Sequence, residues 1–170
     1  MEAKHSSPPS SPPSAKYSSP PADAKGLASG VAADRSSPPP TVTIQHTDCQ
    51  PDDNCPVTAG LRLEIDFELS APLPGASWEV RYLVDSMVRR HVIVLGETRE
   101  RLYAEGDNSM SFEVPEIDVS EVRRGALANA GLLSAELRDG GGREVFTLNY
   151  VVQVRPEGEG FVRTIYNPLE

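Results

Sequence analysis

The segment at residues 61–69 alternates strictly between apolar and charged side chains. The apolar side chains occupy the odd positions: Leu61, Leu63, Ile65, Phe67 and Leu69. A helix would scatter these residues around its axis, whereas a β-strand places alternate side chains on opposite faces of a sheet. The segment therefore predicts a strand with one face in a core and the other in water.

The same period of two recurs along the chain. It returns at residues 78–84, after a turn that Pro72, Pro74 and Gly75 predict. Further strands are predicted at residues 92–95, 109–114, 131–137 and 144–154. The glycines at 140–142 predict a hairpin loop between the last two. Seven or more short strands, with Trp78 on the third, predict an all-β, immunoglobulin-like β-sandwich over residues 41–170.

One segment departs from this period. Asp118 can cap a helix, and Val119, Val122, Ala126 and Leu127 would fall on one face of it. We expect one short helix within residues 118–130 that crosses between the two sheets.

The first 40 residues have a different composition. Ser-Pro units recur as SSPPSSPPS, SSPP and SSPPP, and large apolar side chains are nearly absent. Such a segment cannot bury enough apolar area to offset its ordering entropy, so residues 1–40 are predicted to be a disordered tail. No apolar run follows the first residues, so we expect neither a secretory signal nor a membrane span and predict a soluble intracellular protein.

The net charge of the domain limits the classes of molecule that it is expected to bind. The chain has a formal net charge of -9, and the tail, with four basic and three acidic residues, contributes +1, which leaves -10 on the domain. An acidic domain repels a phosphate backbone, so direct nucleic-acid binding is not expected. The same field would steer a basic protein partner toward the domain.

No arrangement in the sequence predicts catalysis, and neither enzymatic activity nor a cofactor is expected. The domain lacks a nucleophile elbow, a phosphate-binding glycine loop and a His-Glu-x-x-His sequence. One cluster at residues 46–55 contains His46, Asp48, Cys49, Asp52, Asp53 and Cys55. It supplies one His and two Cys as zinc ligands without a clear fourth, and a polar loop between the first two strands is the other interpretation. The two cysteines are expected to be free thiols.

Residues 61–153 resemble the anti-silencing function histone chaperones. The similar stretches are LRLEIDFEL, SWEVRYLV, VLGE, EGDNSMSFEVPEID and LLSAELRDGGGREVFTLNYVV. The resemblance implies an acidic immunoglobulin-like domain that binds core histones through the exposed face of its last strands. In that family an Arg and a Tyr on the last strand contact the histone, and Thr147 and Val151 occupy their places here. An apolar contact on the preceding strand would correspond to Leu132 or Leu133.

The charge after the Trp-containing strand differs from that of the family. The family has an acidic run there, whereas this chain has Met87, Val88, Arg89 and Arg90 after Asp85. Two functions therefore remain open. One is a histone-chaperone-like interaction module, and the other is a scaffold or adaptor of a cytoskeletal or ciliary assembly whose interface includes Met87, Val88, Arg89 and Arg90.

The final strand supplies the candidate binding strip. Alternation predicts outward positions for Thr147, Asn149, Val151 and Gln153, which carry no charge. Interface centres are depleted in charged residues, so this strip is a candidate contact surface together with Leu132. The alternative is that residues 160–168 lie across the strip and cover it.

Overall fold

The computed structural model describes residues 38–85 and 90–169, with only the backbone described for Asp85. The predicted disordered tail lies outside the described residues apart from residues 38–40. Met87, Val88 and Arg89 also lie outside them.

The described residues form ten strands and one short helix. In chain order they are β1 (Val42–Gln50), β2 (Cys55–Pro56), β3 (Ala59–Leu69), β4 (Leu73–Asp85), β5 (Arg90–Glu97), β6 (Arg101–Tyr103), β7 (Gly106–Glu116), α1 (Arg124–Leu127), β8 (Gly131–Arg138), β9 (Glu144–Glu157) and β10 (Gly160–Tyr166).

The strands form two antiparallel sheets that enclose one core. The smaller sheet has the order β1-β3-β7, and the larger has the order β2-β10-β9-β8-β4-β5, with β6 also paired to β4. The predicted all-β, immunoglobulin-like sandwich is confirmed. The smaller sheet buries the odd-numbered residues of β3, as the alternation predicts.

Aromatic rings fill the centre of the core. Trp78 is fully buried on β4, and its ring meets the ring of Phe67 on β3 edge to face, with centroids 5.3 Å apart. Tyr103 on β6 meets the same Phe67 ring at 5.3 Å. These contacts join the two sheets, because Phe67 belongs to one and Trp78 to the other.

A buried arginine links β10 to the backbone from the end of β2 to the start of β3. Arg163 on β10 is 1% exposed, and its guanidinium donates to the backbone carbonyls of Pro56, Val57, Ala59 and Gly60 at 2.7–3.2 Å. These carbonyls lie at the end of β2, in the connection that follows it and at the start of β3. Arg163 thus supplies donors to one buried and three partly buried backbone acceptors.

The helix is shorter than predicted, and its cap is different. It spans only four residues, and Asp118 does not cap it. The Asp118 carboxylate instead accepts a hydrogen bond from the backbone N–H of Ser120 at 2.9 Å, which closes a local turn. Val122 and Leu127 are buried as predicted, so tertiary burial preserves the apolar face without a continuous helix.

The turn predicted at residues 72–75 is also wrong in part. Pro74 and Gly75 lie inside β4, where the pairing with β6 is irregular between Leu73 and Ala76. Gly75 has a φ of 62°, which a β-bulge accommodates and a regular strand does not. The hairpin predicted at residues 140–142 is confirmed, since the Gly142 N–H donates to the Asp139 carbonyl at 2.8 Å.

Candidate protein-binding face

The outer face of the seven-stranded sheet carries the predicted binding strip. The side chains that point outward from β9 are those of Thr147, Asn149, Val151 and Gln153. The side chains that point toward the core are those of Phe146, Leu148, Tyr150, Val152 and Val154. Strand β9 therefore has the orientation that the alternation predicts.

Strand β10 does not cover this face. It is hydrogen-bonded beside β9 in the plane of the sheet, with Tyr166 opposite Val151 and Thr164 opposite Gln153. Its residue Ile165, opposite the buried Val152, lies on the core side. The alternative in which residues 160–168 lie across the strip is therefore wrong, because the segment extends the sheet sideways.

The register of five strands aligns apolar side chains into one row. Val151 is opposite Tyr166 on one side and Leu132 on the other, Leu132 is opposite Leu83, and Leu83 is opposite Val92. We call these five residues the apolar row. Four strand spacings of roughly 4.8 Å give it a length of about 19 Å across the sheet.

Most of the apolar row is open to solvent. The exposed fractions are 50% for Tyr166, 48% for Val151, 39% for Leu132 and 53% for Val92. Val94, two residues along β5 on the same face, is 61% exposed. The described residues include seven exposed large apolar side chains, and five of them lie on this one face. Such concentration of exposed apolar side chains is typical of an interaction surface, since isolated ones need no explanation.

A closed ring of charges borders the apolar row on the same face. It consists of Glu79 and Arg81 on β4 and Glu136 and Arg138 on β8, and we call it the charge ring. Arg81 lies 2.5 Å from Glu79 and 3.4 Å from Glu136, and Arg138 lies 2.6 Å from each glutamate. Every charge in the ring has two opposite neighbours, so the ring has no net charge.

The charge ring keeps the Glu79 carboxylate ionised. The hydrogen bond from Arg81 lowers the pKa of Glu79, and this effect outweighs the opposing effect of desolvation. The same hydrogen bond raises the pKa of Arg81. Because the four side chains satisfy one another, they are poor candidates for capturing a charged ligand.

The predicted site residues take different places on this face. Val151 and Leu132 are central to the apolar row. Thr147 lies toward the charge ring, where its hydroxyl donates to Glu144 at 2.8 Å. Gln153 accepts a hydrogen bond from the Tyr166 hydroxyl at 2.9 Å.

The remaining predicted residues lie at the margin of this face or outside the described residues. Arg90 is exposed at the start of β5, opposite Asp85. Arg89 lies outside the described residues. Leu132 points outward, whereas its neighbour Leu133 is buried.

Sequence reasoning missed three members of the row. Nothing in the sequence indicates that Leu83, Val92 and Tyr166 align with Val151. The useful signal was the interruption of the alternation at Leu83, an apolar residue on the face that carries Glu79 and Arg81.

The cluster at residues 46–55 is not the polar loop that the sequence suggested. His46, Asp48 and Cys49 lie in β1 and Cys55 lies in β2, so only the residues between them form a connection. Cys49 and Cys55 are both buried free thiols, and burial raises the pKa of Cys49 to about 12. Over residues 38–85 and 90–169, no three His, Cys, Asp or Glu side chains are grouped as metal ligands would be.

Two cavities lie away from the apolar row. One is a small space of about 10 Å³ beside Arg163 and Tyr82. The other is an open depression of about 510 Å³ formed by Thr58 and residues 116–120.

No model of a known protein family matches the chain, and the search of curated proteins found none similar to it. Within the described part of the chain, no helix is long and apolar enough to cross a bilayer.

Proposed function

We propose that this domain is a non-enzymatic protein-binding module that holds its partner on the outer face of the seven-stranded sheet. The observation that carries the proposal is the apolar row, which spans five strands and remains about half exposed at Tyr166, Val151 and Val92. An apolar centre with a polar border is the usual anatomy of a protein interface. The charge ring supplies part of such a border without adding net charge.

The chemistry of the partner follows from this arrangement. The residue that meets Val151 and Leu132 should be apolar or aromatic, because a charge placed there would lose its hydration without gaining a counterion. Outside this face the domain carries most of its net charge of -10, so a partner with a basic periphery would associate faster. The expected partner therefore has an apolar or aromatic contact residue surrounded by a basic surface.

Histone binding is one specific form of the proposal. It is supported by the sandwich fold, by the position of the strip on the last strands and by the acidic charge. Thr147 and Val151, however, replace the Arg and Tyr that the resemblance places there, and Thr147 already donates to Glu144. A scaffold or adaptor function without histone binding is supported by the apolar character of Val151 and Leu132.

The test uses the full chain immobilised as wild type and as the variants Val151→Arg and Leu132→Arg. Ser111→Arg is the matched control, because it adds the same charge at an exposed position on the smaller sheet. Two probes are applied, purified core histones and an extract of the source cell analysed by mass spectrometry. We expect a partner that wild type and Ser111→Arg recover and that both apolar-row variants lose by at least about tenfold.

The outcomes separate the alternatives. Core histones recovered in this pattern would support the chaperone form, and a different protein in this pattern would support the scaffold form. Equal recovery by all four proteins would show that the apolar row is not the binding surface. Circular dichroism of each variant establishes that the losses do not come from unfolding.

A further inference from the structure

Strand β5 forms an open edge of the seven-stranded sheet. It pairs with β4 on one side, and no described strand pairs with it on the other. In a strand of eight residues, about four have backbone N–H and C=O groups that point away from the paired neighbour. Such an edge can accept another strand.

The edge has few of the features that prevent strand addition. Proteins commonly protect an edge with Lys or Pro, and Arg90–Glu97 contains neither. The one irregularity is a bulge at the Gly96 end, where the pairing with β4 shifts between Val80 and Arg81. The rest of the edge is regular, and its outward side chains Val92 and Val94 are the two most exposed members of the sheet's apolar surface.

Opposite charges mark the two ends of β5 on this same outer face. Arg90 begins the strand, and Glu97 ends it. The bulge turns Glu97 outward, since it is opposite Glu79 of the charge ring and accepts a hydrogen bond from the Ser77 hydroxyl at 2.5 Å. Read along the strand, the outer face presents a cation, two valines and an anion.

That order is self-complementary in an antiparallel arrangement. If two copies of β5 run antiparallel about a two-fold axis near Ile93, Val92 of one copy faces Val94 of the other. Arg90 of each copy then lies beside the Gly96–Glu97 end of its neighbour. A two-fold axis repeats each contact, so two opposite-charge pairs flank four valines.

We infer that β5 pairs antiparallel with β5 of a second copy of this chain and joins the two larger sheets into one. A second copy is the expected partner because its own β5 carries the valines and the opposite charges that this edge requires. The net charge of each domain opposes the approach, so the dimer is reversible rather than obligate. The pairing leaves Val151 and Leu132 free, and of the apolar row it engages only Val92.

The first experiment measures the mass of the full chain by sedimentation equilibrium over a range of concentrations. Wild type should show a monomer–dimer equilibrium. Val94→Lys should shift the dissociation constant upward by about tenfold or more, because a lysine at an exposed edge prevents strand addition. Ser111→Lys, with the same charge on an exposed position of the smaller sheet, should dimerise as wild type does.

The second experiment tests the register by charge exchange. Arg90→Glu alone places two glutamates together twice, and Glu97→Arg alone does the same with arginines, so each variant should dimerise poorly. A mixture of the two variants restores both opposite-charge pairs in a heterodimer. We expect the mixture to associate about as tightly as wild type. If a substitution instead damaged the fold of its own monomer, mixing the two variants would not restore association.

Several results would overturn the inference. A wild-type chain that stays monomeric at all concentrations would exclude the dimer. A dimer that Val94→Lys leaves intact, or that Val151→Arg dissociates, would place the interface away from β5. Failure of the mixture to associate, with both variants folded by circular dichroism, would exclude the antiparallel register.

Discussion

Val151 on β9 lies directly opposite Leu132 on β8, and both side chains point away from the core. The neighbouring pair along the same strands, Val152 and Gly131, turns to the other side of the sheet. Adjacent residues on one strand therefore have opposite environments. This relationship makes it possible to separate binding from folding by substitutions one residue apart.

Val151→Arg should leave the free energy of unfolding within about 0.5 kcal/mol of wild type, because an exposed substitution removes little packing. Val152→Arg is the matched comparison, since its side chain is 1% exposed and the new charge would be buried without a partner. We expect the second variant to fail to fold. Urea denaturation followed by far-ultraviolet circular dichroism measures both, and equal stability of the two would show that the faces of β9 are reversed.

Trp78→Ala should reduce the free energy of unfolding by about 3–5 kcal/mol, because it leaves a large cavity where the two sheets meet. The ring is fully buried and packs edge to face against Phe67. The chain contains one tryptophan, so native fluorescence should be blue-shifted and should move to longer wavelength in urea. Native emission at the wavelength of exposed tryptophan would contradict this packing.

Arg163→Met should cost about 3 kcal/mol of stability, because four carbonyls that are buried or partly buried would lose their donor. Arg163→Lys should recover only part of this loss, since an ammonium group cannot reproduce the planar set of donors. Arg143→Met is the control, as Arg143 is about half exposed and pairs with Asp139 on the surface. We expect it to change stability by less than about 1 kcal/mol, measured by the same denaturation. A similar loss in Arg143→Met and Arg163→Met would show that the four carbonyls are not the cause.

The charge ring should make stability depend on pH in acid. The hydrogen bond from Arg81 holds the pKa of Glu79 below its unfolded value. This contribution is therefore present above the ordinary pKa of a glutamate and is lost as the pH falls through the lowered folded pKa. Glu79→Gln should cost about 1–2 kcal/mol near neutral pH and much less in acid.

The measurement compares the free energy of unfolding of wild type and Glu79→Gln between about pH 7 and about pH 3. The two curves should converge as the pH falls. The free energy of unfolding of both proteins should still fall somewhat in acid because of Asp139. Desolvation opposes ionisation of this residue, but hydrogen bonds from the backbone of Arg143 and Gly141 lower its pKa. A constant difference between the curves at every pH would mean that ionisation of Glu79 does not contribute.

Local alternation was sufficient to predict much of this fold. Side chains that alternate along a strand must point to opposite faces, so the sequence alone determined which residues of β3 and β9 are buried. The burial of Trp78 and the hairpin at residues 140–142 follow from patterns of the same short range. Each of these depends on neighbours within a few positions.

The remaining features depend on contacts between distant segments. Burial of Val122 and Leu127 does not require a continuous helix. The apolar pattern at residues 118–130 therefore predicts a longer helix than the four residues observed. Strand β10 pairs beside β9 because the edge of β9 offers unpaired backbone groups, which no property of residues 160–168 reveals by itself. The carbonyl acceptors of Arg163 lie more than 100 positions away in the chain.

The candidate binding face shows the same division most clearly. The sequence alone determined that Val151 and its strand neighbours carry no charge and point outward. Only the tertiary structure decided that Tyr166, Val151, Leu132, Leu83 and Val92 stand in one row. The physical reason is that the period of two specifies a face but not a register, and register is set by hydrogen bonds between strands that are distant in the chain.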